Sequence, residues 1–168
     1  MKSCLFAGSF DPFTTGHRAV VEKCLASYDK VYVVAMVNAK KIPLFSTEEK
    51  LEIINASLEG LDLSRIEVSF FGGYLVDFIE SHSIDDNVRG IRNDSDLEYE
   101  KKMEKINKTI YPSLSTVYLK IEGYEGVNST SVRQGLVKNP IDLDGVVKSA
   151  EKTVLEILRR KEEKKSSQ

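Results

Sequence analysis

The chain opens with an apolar run, which is followed by a glycine turn, a polar loop and the start of a helix. Residues 4–7 predict a strand, and the polar loop after Gly8 ends at Gly16, where an amphipathic helical pattern begins. A helix N-terminus carries unpaired backbone N–H groups and the positive end of the helix dipole, which together favour phosphate. The two glycines let a ligand approach the backbone closely. Further hydrogen-bond donors around this turn are Ser9, Thr14 and His17.

This stretch predicts a strand–loop–helix unit that holds a triphosphate. The simpler alternative is that Gly8 and Pro12 only shape a turn and that Thr14 only caps the helix. Residue types alone leave both interpretations open.

Strands and helices alternate along the rest of the chain. Strands are predicted over residues 30–37, 66–70, 86–88 and 116–120. Helices are predicted after a capping box at Ser46, over 75–79, from about 96 to about 109, over 132–137 and from about 143 to about 160. Five strands with helical crossovers predict an α/β fold. We expect a Rossmann-like, doubly wound domain with a five-stranded parallel sheet and a C-terminal helix.

Composition limits the class of protein further. We expect one domain over residues 1–160 and a charged, disordered tail at 161–168. The 168 residues carry a net charge of −2, which argues against a nucleic-acid partner held by bulk charge. Neither a signal peptide nor a membrane-spanning apolar run is recognisable, so we expect a cytoplasmic protein with no membrane partner. Cys4 and Cys24 lie in apolar patterns, which predicts buried, reduced thiols.

Two arginines flank a glycine at the end of the fourth predicted strand. The planar guanidinium groups of Arg89 and Arg92 suit phosphate oxygens. The acidic residues at 94–100 would cap the next helix and lock the arginines in place. The alternative is a surface ion-pair network of small energetic value.

Lysines and hydroxyl residues follow two other strands. Lys40 and Lys41 come after the second strand, where solvated lysines are the simpler interpretation. Ser129 and Thr130 begin a helix, so they either bind phosphate or only cap that helix. Because ligands bind beyond the carboxyl ends of parallel strands, we expect these loops and residues 8–17 to converge on one crevice.

Three motifs resemble those of a known family. Residues 14–17, Thr-x-Gly-His after Gly-Ser-Phe-Asp-Pro, are similar to the T/HxGH signature of the nucleotidylyltransferase superfamily. Residues 89–100, RG-hydrophobic-R followed by D-x-E-Y-E, resemble the signature of its pantetheine-phosphate adenylyltransferases. Residues 127–133 resemble the ISSTxVR motif of that family, with Asn128 where a serine is usual. The resemblance covers about residues 3–138.

The resemblance implies a reaction, a cofactor and partners. The phosphate of 4′-phosphopantetheine would attack the α-phosphorus of ATP in line. The products would be dephospho-coenzyme A and pyrophosphate, with no covalent enzyme intermediate. Mg²⁺ would neutralise the triphosphate, held by phosphates and water because no carboxylate cluster is dedicated to it. The family also implies a homohexamer and feedback inhibition by coenzyme A.

The resemblance further implies roles for individual residues. His17 would stabilise the transition state, and Thr14 would orient the side chain of His17. Lys41 would hold the attacking phosphate. If the alignment of this segment with the family shifts by one residue, Lys40 would take this role instead. The acceptor would also contact Ser9 and Arg89 through its phosphate, and Leu75 through its pantetheine arm, unless Leu75 is only a core residue. The ATP site would comprise Ser9, Phe10, His17, Gly90, Ile91, Arg92, Glu100, Tyr124, Glu125, Gly126, Val127, Asn128, Ser129 and Thr130.

Two other functions stay open at this point. One is a related transferase with a different acceptor, nicotinate mononucleotide or glycerol 3-phosphate. The resemblance disfavours both, because nicotinate enzymes usually carry histidine at the position of Thr14 and cytidylyl enzymes lack the 89–100 segment. The other is a non-catalytic nucleotide-binding paralogue, which is suggested by Asn128, Glu122 and Glu125.

Overall fold

The computed structural model describes residues 1–167, and at residue 110 the backbone alone. The strands are β1 (Ser3–Gly8), β2 (Lys30–Met36), β3 (Ile66–Phe71), β4 (Asp86–Ile91) and β5 (Thr116–Lys120). The α-helices are α1 (Thr15–Ser27), α2 (Thr47–Ser57), α3 (Leu75–Ser81), α4 (Asp94–Ile110), α5 (Ser129–Leu136) and α6 (Glu151–Ser166). Single 3₁₀ turns cover Leu63–Arg65 and Lys148–Ala150.

The strands form one parallel sheet in the order β3-β2-β1-β4-β5. On the central strand β1, Phe6 pairs with Val33 of β2 on one side and with Val88 of β4 on the other. Each crossover between parallel strands contains a helix. The predicted Rossmann-like fold with five parallel strands is therefore confirmed, and the strand order reverses between β1 and β4.

Alternate residues of β1 supply the two apolar layers that cover the sheet. Cys4 and Phe6 join the larger cluster, which also contains residues of α1, α2, α5 and α6. Leu5 and Ala7 point to the opposite face and pack with Phe78 of α3. Both cysteines are buried free thiols, as predicted. Within residues 1–167, no helix combines the length and the apolar character needed to cross a bilayer.

The C-terminal region differs from the prediction at both ends of its helix. The expected start at 143 is wrong, because residues 143–147 turn instead, with Gly145 at a φ of 84° and its carbonyl accepting the N–H of Thr15 at 2.9 Å. The helix then continues to Ser166, where a disordered tail was expected. Lys161 lies 2.9 Å from Glu49 of α2, so it is held against the domain. Residue 168 of the expected tail lies outside the described residues.

Candidate active site

A cleft of about 350 Å³ opens at the carboxyl ends of β1 and β4, where the strand order reverses. We call it the central cleft. The sequence-predicted residues that line it are Ser9, Phe10, Thr14, His17, Arg89, Gly90, Arg92, Glu100, Tyr124, Val127, Asn128 and Ser129. Segments widely separated along the chain therefore converge on one volume, as the parallel fold predicts.

The loop after β1 is shaped by a close contact between Gly8 and Phe10. A Cβ on Gly8 would lie 3.0 Å from the Phe10 ring, which leaves no room for a larger residue without movement. Phe10 itself has a φ of 45°, in the left-handed region that non-glycine residues rarely adopt. Its ring is buried and packs edge-on against Phe6 and Phe13. This aromatic packing fixes the loop that leads to His17.

His17 is held by the N-terminus of its own helix. The backbone N–H of Thr14 donates to Nδ1 of His17 at 3.0 Å, and the backbone N–H of His17 donates to Oγ1 of Thr14 at 3.3 Å. These two bonds form the capping box of α1. Because Nδ1 accepts a hydrogen bond from a backbone amide, the ring proton of a neutral imidazole is on Nε2.

The surroundings of His17 favour this neutral form. Its ring lies against Phe6, Phe10 and Phe13, with centroids 5.9, 5.0 and 5.3 Å away. Burial lowers the pKa of His17 from 6.5 to about 4, and the positive charges of Arg92 and Arg89 act in the same direction. At neutral pH the side chain is therefore an uncharged hydrogen-bond donor in the central cleft.

Both arginines of the β4 motif are oriented by carboxylates of α4. Arg89 donates from Nε and Nη2 to the two oxygens of Glu100, at 3.0 and 2.9 Å, and from Nη1 to the carbonyl of Ala7. Arg92 donates from Nε to Asp96 at 3.2 Å. The acidic cluster thus locks the arginines, as the sequence predicted.

Gly90, between the two arginines, is required by packing. A Cβ at this position would lie 2.6 Å from Cγ2 of Val20 on α1. A side chain here would force Val20, which packs between α1 and β4, to shift. The glycine lets the helix that carries the histidine lie directly against the strand that carries the arginines.

The N-termini of two helices, α1 and α5, border the central cleft. Asn128 caps α5, because its Oδ1 accepts the N–H of Ser131 at 2.8 Å. Although Asn128 stands where the family usually has a serine, the start of α5 is therefore still capped. Ser129 donates from Oγ to the carbonyl of Pro12 at 2.8 Å, which ties α5 to the loop after β1. The first turns of both helices offer N–H groups to an anion.

Six predicted site residues lie outside the central cleft. Lys41 is exposed in the loop after β2, Ile91 is buried, and Leu75 lines another cavity. Glu125 and Gly126 lie on the exposed turn before α5, and Thr130 of α5 is exposed with its hydroxyl accepting a bond from Arg133. The roles of these residues remain predictions.

A second cavity of about 270 Å³ adjoins the central cleft. Leu75, Asn87, Met103, Asn107 and Tyr118 line it, among others. Arg89, Tyr99 and Glu100 line both spaces. The Arg89–Glu100 ion pair therefore stands between the two.

Asp11 is a positioning residue to which the sequence analysis assigned no role. Its carboxylate is buried and accepts the backbone N–H groups of Leu44 and Phe45, each at 2.9 Å. Its carbonyl accepts from Arg133 of α5 at 2.7 Å. Asp11 thus joins the loop after β1 to the segment that carries Lys41 and to α5. The only sequence signal is its place between Phe10 and Pro12 in the first motif.

The described residues offer no cluster of three His, Cys, Asp or Glu side chains that could hold a metal ion. The carboxylates that line the central cleft, Asp96 and Glu100, each accept hydrogen bonds from an arginine. These two carboxylates therefore orient the arginine side chains and do not form a metal site built from protein ligands.

The fold and the cleft are those of a nucleotidyltransferase, and the cytidylyltransferase-like family model matches residues 5–135. A phosphopantetheine adenylyltransferase of Campylobacter curvus is 32% identical over 148 residues, covering 88% of this chain and 94% of that protein. One of Clostridium botulinum is 36% identical over 135 residues, covering 80% and 81%. The chain belongs to the phosphopantetheine adenylyltransferase family.

A solved structure shows the same fold at greater distance. The nicotinic acid mononucleotide adenylyltransferase of Plasmodium falciparum, complexed with APC, superposes with a TM-score of 0.64 at 17% identity. The match covers 95% of this chain and 96% of that chain. This likeness supports the fold assignment alone.

Proposed function

We propose that this protein transfers the adenylyl group of ATP to 4′-phosphopantetheine, giving dephospho-coenzyme A and pyrophosphate. The observation that carries the proposal is that a neutral imidazole, fixed as an Nε2–H donor, shares one cleft with Arg89 and Arg92. Such an imidazole can donate a hydrogen bond to a phosphate oxygen in its neutral form, with no change in its protonation state. The family membership of the chain supports the choice of nucleotide and acceptor.

The reaction is an in-line displacement that needs positioning and charge stabilisation. An oxygen of the acceptor phosphate forms a bond to the α-phosphorus, and the bond from that phosphorus to the α–β bridging oxygen breaks. The acceptor oxygen is already anionic, so no general base is required. Nε2–H of His17 donates to an α-phosphate oxygen as negative charge builds there, and Thr14 holds the ring for this donation.

The departing pyrophosphate would lie between α1 and α5. The N–H groups of both first turns and the guanidinium of Arg92 provide positive potential there. We assign Ser129 and Thr130 to the β- and γ-phosphates. The remaining ATP contacts are assigned to Ser9, Phe10, Gly90, Ile91, Glu100, Tyr124, Glu125, Gly126, Val127 and Asn128.

The acceptor would enter from the second cavity. Arg89 faces both spaces, so a phosphate bound there sits between the pantetheine arm and ATP. Glu100 accepts hydrogen bonds from two N–H groups of Arg89. The incoming phosphate would share these N–H groups with the carboxylate or displace it. We assign Ser9 and Lys41 to the same phosphate and Leu75 to the arm.

We also propose that Mg²⁺ enters with ATP. The cation would be held by phosphate oxygens and water, and it would neutralise charge on the triphosphate. The chain would add the positive charges of Lys41, Arg89 and Arg92 and the N–H groups of the two helix N-termini.

Assembly, regulation and location form the last part of this proposal. Tyr99, Met103 and Ile106 present an exposed apolar stripe on α4, which supports self-association and agrees with the expected homohexamer. Coenzyme A contains both a pantetheine arm and an adenine nucleotide, so it would compete for the two adjoining spaces as a feedback inhibitor. We expect the enzyme to act in the cytoplasm.

A pyrophosphate-release assay tests the activity. Purified protein with Mg²⁺ is offered ATP with 4′-phosphopantetheine, ATP with nicotinate mononucleotide, or CTP with glycerol 3-phosphate, in separate reactions. We expect turnover with 4′-phosphopantetheine alone. Turnover with another acceptor would assign a different transferase activity. ATP binding with no release in any reaction would support the non-catalytic alternative.

A further inference from the structure

A buried amide on β4 has an oxygen with no hydrogen-bond partner. Asn87 is 5% exposed, and its Oδ1 is completely buried with no donor among the described residues. Most buried side-chain polar atoms in folded proteins have such a partner, so an orphan acceptor requires an explanation.

Asn87 lies in the wall of the second cavity, on the same face of the sheet as Arg89. The two residues are separated by one residue on β4, so their side chains leave the strand in the same direction. Their neighbours on β5 are Thr116 and Tyr118, which line the same cavity. The distance between the two positions along the strand is about 6.6 Å.

Two other polar groups at this wall are already paired. Tyr118 donates to Glu104 at 2.8 Å, and Arg89 is paired with Glu100. The orphan amide of Asn87 can present either its oxygen or its nitrogen to the cavity after a half-turn about its last side-chain bond. It therefore suits a ligand that brings its own donor and acceptor groups.

We propose that Asn87 is a specificity-determining residue that hydrogen-bonds the hydroxyl–amide segment next to the phosphate of the acceptor. This inference rests on the proposed function, in which Arg89 holds that phosphate. In 4′-phosphopantetheine the hydroxyl and the first amide follow the phosphorus after about five bonds, which span roughly 6 Å when extended. The Cα positions of Arg89 and Asn87 lie a similar distance apart along β4, with both side chains on the same face of the sheet.

The test replaces Asn87 by a residue of similar size without polar atoms. For Asn87→Leu we expect the KM for 4′-phosphopantetheine to rise about tenfold, with the dissociation constant of ATP unchanged. The melting temperature without ligand should stay the same or rise, because the orphan oxygen is gone. Asn87→Ser provides a second variant if the leucine disturbs packing. It should also raise this KM.

Ser69→Ala is the matched control, because Ser69 on β3 has the other buried orphan oxygen and lines neither space. It should leave the KM for the acceptor unchanged. As a second readout, 2,2-dimethylpropyl phosphate, which lacks the hydroxyl and the amide, should inhibit wild type and Asn87→Leu equally.

Two outcomes overturn the inference in distinguishable ways. Folded Asn87→Leu and Asn87→Ser with the wild-type KM for 4′-phosphopantetheine would overturn it alone. A wild-type protein that releases no pyrophosphate with this acceptor would overturn the proposed function, and the inference with it.

Discussion

The backbone N–H of Thr14 donates to Nδ1 of His17 at 3.0 Å, so the chemistry of the imidazole is set by the residue that caps its helix. The same two residues form a reciprocal pair, because the hydroxyl of Thr14 accepts from the backbone of His17. The cap of α1 and the proposed catalytic group are thus parts of one hydrogen-bonded pair. Loss of the Thr14 hydroxyl would weaken α1, while the backbone N–H of residue 14 would still be available to Nδ1 of His17.

The state of His17 can be observed directly by NMR. In protein labelled with ¹⁵N-histidine we expect the His17 signals of a neutral Nε2–H tautomer at pH 7 and titration with a pKa of about 4. The chain has two histidines, so the variant His82→Gln identifies the His17 signals. A proton on Nδ1, or titration near the ordinary value of about 6.5, would contradict the described environment.

The lowered pKa of His17 also makes a signed contribution to stability. Between about 4 and 6.5 the unfolded chain binds a proton at this residue that the folded chain does not bind. This contribution is therefore present above pH 6.5 and is lost as the pH falls toward 4. Urea unfolding at several pH values should show a steeper loss of stability on acidification for wild type than for His17→Gln.

The control repeats the comparison in the His82→Gln background, where position 17 holds the only histidine of the wild-type pair. Parallel curves for wild type and His17→Gln between pH 7 and 4 would show that His17 is not held neutral by folding.

Asp11 offers a test of how the loop after β2, which carries Lys41, is positioned for the proposed acceptor. In Asp11→Asn the amide NH₂ faces one of the two backbone N–H donors of residues 44 and 45, so one buried hydrogen bond is lost at about 1–3 kcal/mol. We expect faster hydrogen exchange at residues 38–46 and a KM for the acceptor several-fold higher, with a smaller change for ATP.

Asp62→Asn is the matched substitution, because Asp62 also accepts a backbone N–H, from Ser64, but on a turn that supplies no residue to either cavity. It should leave the acceptor KM as in wild type. Equal KM values for all three proteins would remove the positioning role of Asp11.

Local patterns predicted most of the fold and the centre of the site. The β-branched run at 30–37 and the Ser46 capping box are signals contained within a few residues, and both elements form where expected. Arg92 and Asp96 are four apart, so their pairing is also a local event.

Features that depend on distant contacts were missed. The start of α6 at Glu151 follows from a turn held by Thr15, and Asp11 acts on a segment 33 residues away. The orphan oxygen of Asn87 becomes visible only when the neighbours of β4 are in place. No periodicity in the sequence encodes these relationships.

The most direct test of the central claim compares turnover and ATP affinity in His17→Ala. We expect kcat for adenylyl transfer to fall ~10²–10³-fold, because a transition-state hydrogen bond is removed, while the dissociation constant of ATP changes little. His82→Ala, outside the central cleft, should keep wild-type kinetics. A folded His17→Ala protein with near wild-type kcat, or one whose loss lies entirely in ATP binding, would contradict the account.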